Sequence, residues 1–432
     1  MTTKTYSSTK VAMGIACSVF LMAGFFTCLN GVIIPRLKTL FELSFAKAMF
    51  VQFAFFGAFF LLSLPAERVL AKLGYKMTMI LGLILTGAGS LGFWPAVQIR
   101  LYPAFLATLF VLAVGVTLLQ LAANPFVSLL GKKETASSRL TLAQAFNSLG
   151  TTIAPLIGGY FILSGAHTTL TPEQLHQLPA QAQHAYHAQL AGAMQGPYIV
   201  FALVSFLLAA FIFKMRFPAS EDNTVGASSP NTQYRVSDVM RYSHAVFGIF
   251  AIFAYVGAEV ALGSLMVNYF TLPQIGNLSE SQSTWYISIY WGLAMVGRFI
   301  GSALLAHFKP RYLVGIFASI NVVLLASSVM LSGMPAVYAL ICIGLFNSIM
   351  FPTIFTLGIA QLGHLTGVTS SLLLMGTIGG AIIPFIQGRI ADSWGLQISF
   401  LLPAISYIYI TFYGFWGAKV RQAPEIAKQK NT

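Results

Sequence analysis

The chain has 432 residues, of which 57% are hydrophobic and only 8% are charged. Soluble domains carry about 25% charged residues, so a chain this poor in charge, with a mean hydropathy of +0.78, is unsuited to a water-exposed surface. The composition excludes a soluble enzyme and a largely disordered chain, and it predicts an all-α membrane protein. The formal net charge of +13 is spread over short loops between apolar runs, so we expect no nucleic acid binding.

Twelve apolar runs follow one another along the chain, each long enough for a helix that crosses the bilayer. Residues 312–388 contain no Asp, Glu, Lys or Arg, and turn-forming residues at 332–335 and 361–367 divide this stretch into three. The predicted spans are 11–35, 46–66, 77–98, 103–130, 143–165, 197–216, 244–270, 284–307, 311–332, 335–360, 368–388 and 397–417.

Lys and Arg are distributed unevenly between the two sides of the predicted bundle. With both termini inside, 19 of the 24 fall on the cytoplasmic side and 5 outside. Because cytoplasmic loops carry the excess of positive charge in membrane proteins, we expect both termini in the cytoplasm. The polar segment 166–196, which contains four His, is then an outer loop.

The first six spans and the last six contain similar stretches. Pro125–Gly131 matches Pro352–Gly358 at an offset of 227 residues, and Ala154–Gly158 matches Ile383–Gln387 at 229. Parallel repeats of this kind are found in transporters that bind substrate between their halves, near the middle of the membrane. The predicted division is an N-terminal six-helix half at 1–216, a cytoplasmic linker at 217–243, a C-terminal six-helix half at 244–417, and a cytoplasmic tail at 418–432.

Amide side chains inside the predicted spans are candidate substrate contacts. Gln120 and Asn124 are four residues apart, and Gln144 and Asn147 are three apart, so each pair shares a helix face. Amides are costly in lipid, so these faces are expected to turn inward. A sugar presents hydroxyl groups that such amides bind, and a flatter C–H face that aromatic rings cover. The alternative is hydrogen bonding between helices, or, at Asn124, to backbone freed by the following proline.

Glu259 is the only carboxylate well inside a predicted span, and an ionisable residue at this depth predicts a functional role. We expect it to bind sugar hydroxyls, and it is the candidate for carrying a coupling proton. Tyr290 and Trp291 are expected to stack on the sugar, with core packing as the alternative, and Asn30 and Asn347 complete the candidate binding residues. No nucleotide loop, zinc motif or nucleophile triad occurs, so we expect no enzyme activity, no cofactor and no metal site.

Several motifs in these spans carry a family resemblance. They are Leu119–Phe126, Leu142–Ser148, Tyr255–Glu259, Tyr290–Gly292 with Gly297–Phe299, and Phe346–Thr353. Together they resemble the fucose–galactose–glucose:proton symporters of the major facilitator superfamily, over about residues 15–415. Gln120 and Glu259 resemble the glucose/galactose branch, since fucose permeases have Glu and Gln there. The resemblance implies twelve helices, a bacterial inner membrane and monosaccharide uptake with protons.

One departure from the family concerns the coupling proton. The family's first helix reads Leu-Asn-Asp, and that Asp is thought to take part in coupling, whereas this chain has Leu29, Asn30 and Gly31. Gln120 does not titrate either. We therefore favour uniport or weak coupling slightly over proton symport, for a monomer that transports glucose, galactose or an amino sugar. Competing functions are export of small amphipathic compounds and a binding or receptor role on the same scaffold.

The resemblance also implies a cytoplasmic gate. Major facilitators use charged residues in the loop after the second span to latch this side, and Glu67 and Arg68 lie there, with Arg298 and Arg311 as the partner set in the second half. The alternative is that these charges only determine topology.

Overall fold

A computed structural model of the chain describes residues 11–27, 50–99, 101–158, 179–215 and 236–420. These residues are almost entirely helical, and none of them is in a strand. Eight of their helices or helix groups are long and apolar enough to cross a membrane, and Val11–Thr27 and Tyr198–Lys214 are shorter apolar helices. The predicted all-α membrane architecture is confirmed.

The N-terminal half forms five described helices, one of which contains two predicted spans. Residues 50–99 would extend about 75 Å as one straight helix, more than twice the hydrocarbon thickness. Gly74 interrupts this helix with φ 71° and ψ 173°, which glycine adopts readily. The segment 67–76, which was predicted to be a loop, is therefore helical except at Gly74. The helices are α1 (Val11–Thr27), α2 (Phe50–Ile99), α3 (Tyr102–Leu129), α4 (Ala136–Gly158) and α5 (Ala180–Lys214).

The C-terminal half has shorter helical segments, because two of its predicted spans are interrupted. The tenth span breaks between Asn347 and Met350, and the eleventh passes through a 3₁₀ turn at Gly376–Ile378. The last span ends in a π-helical turn at Tyr413–Gly417. A short helix, α6 (Val236–Val239), lies in the predicted linker. The helices after it are α7 (Ser243–Phe270), α8 (Glu280–His307), α9 (Pro310–Met330), α10 (Met334–Asn347), α11 (Met350–Gly358), α12 (Thr366–Met375), α13 (Gly379–Trp394), α14 (Leu396–Ser399) and α15 (Leu401–Phe412).

The two halves contact each other chiefly where α4 packs against α8 and where α2 packs against α12. At the start of α4, the Ser137 and Thr356 hydroxyl oxygens are 2.6 Å apart. The Ser138 hydroxyl donates to the Ser302 carbonyl at 2.7 Å, and the Ser302 hydroxyl donates back to the Ser138 carbonyl at 2.8 Å. These contacts join helix ends that the distribution of Lys and Arg predicts to be cytoplasmic.

Candidate functional site

The predicted amides of the N-terminal half form a cluster between α1, α3 and α4. Gln144 Nε2 donates to Asn124 Oδ1 at 3.1 Å, and Asn124 is fully buried, with no partner for its own Nδ2 among the described residues. Asn147 Nδ2 donates to the Phe20 carbonyl of α1 at 3.1 Å. Gln120 is partly exposed and makes no hydrogen bond within the described part of the chain. As far as the described residues go, the cluster therefore has an unused donor on Asn124 and an unbonded amide on Gln120.

Glycines bring α1 close enough to α4 for Asn147 to reach it. A Cβ atom at Gly24 would lie 2.0 Å from the Asn147 carbonyl oxygen, and one at Gly150 would lie 2.2 Å from the Leu21 carbonyl oxygen. No side chain fits at either position without moving a backbone. Close backbone approach through small residues is the usual way that membrane helices associate, and here it holds Asn147 against α1.

A second polar cluster is buried inside the C-terminal half, around Asn347. Asn347 Oδ1 accepts hydrogen bonds from Asn321 Nδ2 and from the Tyr407 hydroxyl, both at 2.8 Å. Its Nδ2 donates to the Tyr290 hydroxyl oxygen at 2.9 Å. All four side chains are at most 1% exposed. Asn347 thus joins α8, α9, α10 and α15 and has one amide proton left.

Glu259 lies at the edge of this cluster and is only partly buried. Its Oε1 accepts the Tyr255 hydroxyl at 2.6 Å, which leaves Oε2 without a donor among the described residues. Trp291, on α8, is 36% exposed, and its ring would touch a methyl group added at Gly263 of α7 at 3.7 Å. A carboxylate oxygen with no donor and a half-exposed indole are therefore presented by neighbouring helices.

Arg298 links the two clusters. Its Nη1 donates to the Gln144 carbonyl at 3.0 Å and to the Ser148 hydroxyl, both on α4, and its Nε donates to the Ser348 carbonyl at 3.3 Å. Its positive charge also attracts the Glu259 carboxylate, although no hydrogen bond joins them in the described structure. Arg298 lies nine residues before α8 ends at His307, and so inside the helix. Its contacts make it a bridge between the halves.

The sequence model of the Major Facilitator Superfamily matches residues 15–384 of this chain. The chain belongs to the major facilitator superfamily. A glucose/galactose transporter of Brucella abortus biovar 1 (strain 9-941) is 44% identical over 402 residues, which cover 93% of this chain and 92% of that protein. A putative glucose/galactose transporter of Helicobacter pylori (strain J99) is 38% identical, covering 96% and 98%. The L-fucose-proton symporter of Escherichia coli K12 is 32% identical, covering 93% and 92%.

Solved structures agree with this family assignment. The crystal structure of the major facilitator FucP in the outward conformation superposes with a TM-score of 0.85 at 31% identity, covering 94% of this chain and 98% of that one. The proton:xylose symporter XylE, at 13% identity and a TM-score of 0.69, shares the fold. The predicted resemblance to sugar symporters of this superfamily is confirmed, as is the expectation of a transporter rather than an enzyme.

The structure gives the predicted binding residues different surroundings. Arg298 donates to the backbone carbonyl of Gln144, and its positive charge acts on Glu259 without a hydrogen bond between them. Tyr290 and Asn347 are instead fully buried and bond to other protein groups, which favours for them the interhelical role that the sequence left open. Asn30 lies outside the described residues.

The charged residues predicted to form the gate are spread over α2, α8 and α9. Glu67 and Arg68 lie on the last turns of α2 before Gly74. Arg311 donates to the hydroxyl of the adjacent Tyr312, and its guanidinium carbon lies 4.3 Å from the centre of the Tyr312 ring. Arg298 contacts α4 across the halves, together with the serine and threonine contacts described above. Their role in gating stays a prediction.

Three buried polar residues were missed by reasoning from the sequence. Asn321 and Tyr407 hold Asn347, and Gln387 is fully buried with neither amide atom partnered within the described residues. Asn321 and Gln387 lie in the stretch 312–388 that has no charged residue, and an amide there is a signal in itself. Tyr407 gives no such signal, because tyrosines are abundant in this chain and its partner lies 60 residues away.

Proposed function

We propose that this protein takes up a monosaccharide, a glucose- or galactose-like hexose or an amino sugar, by alternating access. The main support is that both halves have polar groups with hydrogen-bonding positions unused among the described residues. They are Gln120 and Asn124 in one half, and the Glu259 carboxylate, beside Trp291, in the other. A sugar between the halves would satisfy the amides and the carboxylate with its hydroxyls, and cover the indole with its C–H face. The names of the relatives support the same class of substrate.

The proposed binding residues keep the roles expected from the sequence, with one refinement. Gln120, Asn124, Gln144 and Asn147 bind hydroxyls from the N-terminal half, and Glu259 and Trp291 bind from the C-terminal half. Tyr290 and Asn347 support these groups from behind, because their own capacity is largely used inside the protein. Asn30 completes the set.

The surroundings of the protein follow from the same reasoning. We propose a monomer in a bacterial inner membrane, with both termini and the linker 217–243 in the cytoplasm, since 19 of 24 Lys and Arg fall on that side. The division into halves at 1–216 and 244–417 belongs to this proposal. Reporter fusions after residues 216 and 432, read for cytoplasmic or external activity, test the orientation.

Uptake into proteoliposomes tests the substrate class. The purified protein is reconstituted and offered a panel of labelled hexoses and N-acetylhexosamines, with protein-free liposomes as the control. Saturable uptake of at least one sugar supports the proposal. If no sugar enters above the protein-free control while the reconstituted protein remains folded, sugar transport is refuted.

For energy coupling we propose uniport or weak coupling, because Gly31 and Gln120 replace groups that titrate in the relatives that the motifs resemble. Coupling needs a group whose proton affinity is linked to substrate affinity, and Glu259 is the candidate. Sugar accumulation is measured under an imposed inward proton gradient. Uphill accumulation that an uncoupler abolishes, and that disappears in Glu259→Gln while sugar exchange survives, would refute uniport and identify Glu259 as the proton carrier.

A further inference from the structure

The break between α10 and α11 exposes two neighbouring carbonyls to side-chain donors. Pro352 has no N–H, so the Ser348 carbonyl four residues before it has no helical partner there. Arg298 Nε donates to the Ser348 carbonyl at 3.3 Å, and the Tyr255 hydroxyl lies 3.2 Å from the Asn347 carbonyl. A membrane helix tolerates a break only where such donors satisfy the freed backbone. Tyr255 and Arg298 are therefore the donors that stabilise the two carbonyls at the break.

The Tyr255 hydroxyl has two acceptors and only one proton. Glu259 Oε1 is 2.6 Å away and the Asn347 carbonyl 3.2 Å away, so the two compete. An unliganded carboxylate is the stronger acceptor and holds the proton. When other donors occupy Glu259, as sugar hydroxyls would, the Tyr255 proton becomes available to the Asn347 carbonyl. Whether other donors occupy Glu259 thus decides whether the Tyr255 hydroxyl donates to the Asn347 carbonyl at the break.

Arg298 makes the corresponding connection to the other half. The guanidinium that holds the Ser348 carbonyl also donates to the Gln144 carbonyl at 3.0 Å and to the Ser148 hydroxyl. The guanidinium fork is planar and rigid, so displacing the Ser348 carbonyl displaces these bonds as well. Glu259 is therefore connected to α4 through the Tyr255 hydroxyl, the adjoining Asn347 and Ser348 carbonyls and the Arg298 guanidinium.

The C-terminal half holds the break in a defined position. Asn347, the last residue of α10, is fixed by Asn321, Tyr407 and Tyr290 through its side chain. Because these partners are on α9, α15 and α8, the end of α10 cannot shift alone. Movement at the break is thereby confined to the Asn347 and Ser348 carbonyls and the segment that follows.

We propose that the Asn347–Ser348 break is the joint that couples the ligand state of Glu259 to the contact between the halves, and that Tyr255 and Arg298 are its positioning residues. The part played by Tyr255 rests on the proposed function, because it needs a ligand at Glu259. The part played by Arg298 does not, since it concerns only the contact of α8 with α4. The two parts are therefore tested separately.

A cysteine pair reports on the contact between the halves without any sugar. Ser137 and Thr356, whose hydroxyl oxygens are 2.6 Å apart, are both replaced by Cys in full-length protein whose three native cysteines are replaced by Ala. The initial rate of oxidative cross-linking then follows the fraction of molecules in which this contact is closed. Thermal unfolding of every variant ensures that only folded protein is compared.

Pro352→Ala is the decisive variant, because it gives the Ser348 carbonyl a helical N–H donor and removes the need for Arg298. We expect Pro352→Ala to lower the closed-to-open ratio about tenfold, as loss of one hydrogen bond to a charged group would. Arg298→Met, which also removes the bonds to Gln144 and Ser148, should lower it at least as much. The double variant should fall no further than Arg298→Met alone, since that change already removes the bond to the Ser348 carbonyl. Arg298→Lys should restore part of the ratio, and Arg241→Met, at an exposed position in the segment before α7, should not change it. Unchanged cross-linking in folded Pro352→Ala and Arg298→Met, or additive losses in the double variant, would refute the role of Arg298.

Tyr255→Phe tests the other link with a sugar from the uptake panel. In the parent pair, saturating sugar should change the cross-linking rate severalfold, whereas in Tyr255→Phe the sugar should still bind but leave the rate unchanged. A sugar response that survives in Tyr255→Phe would refute the role of Tyr255. If no sugar binds the parent protein, the proposed function fails, and the Pro352 and Arg298 variants still decide the role of Arg298 in the joint.

Discussion

Replacing Glu259 by Gln should weaken sugar binding much more than it weakens the fold. The amide oxygen of Gln can still accept the Tyr255 hydroxyl bonded at 2.6 Å, so the local packing is kept. The change falls on Oε2, where a charged acceptor becomes an NH₂ donor. A hydrogen bond to a charged group contributes about 1.5–3 kcal/mol, which corresponds to roughly a tenfold to hundredfold rise in Kd. Equilibrium binding of the sugar identified in the uptake panel measures the loss, and thermal unfolding measures the fold.

Glu134 provides the matched control for this substitution. It is an exposed carboxylate in the turn between α3 and α4, so Glu134→Gln makes the same chemical change away from the proposed site. We expect its Kd to equal that of the parent protein. A Kd for Glu259→Gln within twofold of the parent value, in protein that unfolds at the same temperature, would refute the assignment of Glu259 to the binding site.

Three further substitutions separate binding from folding. Gln120→Ala should raise the sugar Kd about tenfold without lowering the unfolding temperature, because Gln120 makes no hydrogen bond within the described chain; an unchanged Kd would remove it from the site. Asn347→Ala should lower stability by at least about 1–3 kcal/mol, since three buried partners lose a hydrogen bond; denaturant unfolding measures this, and an unchanged midpoint would contradict the role of Asn347 as a structural centre. Gly24→Leu should sharply reduce the yield of folded protein, because even its Cβ would lie 2.0 Å from the Asn147 carbonyl oxygen, whereas Gly14→Leu, at a glycine with open space, should not; similar yields of monodisperse protein from the two variants would contradict the close packing of α1 on α4.

The number and order of the spans could be predicted from sequence because the bilayer sets the length of an apolar helix. Interruptions were harder to place. The sharp turn at Gly74 looks from the sequence like a ten-residue loop, since the charged residues before it are compatible with either a loop or a helix end. The break after Asn347 was also missed, although Pro352 is visible, because Pro125 occupies the matching place in a helix that stays continuous.

The candidate site was predictable in its residues but less so in its contacts. The spacing of the amides placed Gln120 with Asn124 and Gln144 with Asn147, and the structure adds a hydrogen bond between the two pairs, from Gln144 to Asn124. Nothing in the spacing indicated that Arg298 would reach across to α4, or that Asn321 would bond to Asn347, because these partners are 154 and 26 residues apart in the chain. Contacts of this kind depend on how helices cross, which the local pattern of the sequence does not specify.

The serine and threonine contacts between the halves determine how strongly salt can affect the contact. Ser137, Ser138, Ser302 and Thr356 carry no charge, and hydroxyl groups can exchange a protein partner for water at little cost in free energy. Dissolved salt screens exposed charges over about 8–10 Å, but it acts only weakly on dipoles such as these. The part of the contact that these hydroxyls make should therefore change little between dilute and concentrated salt, so the charged Arg298 is the part through which ionic strength could act on it.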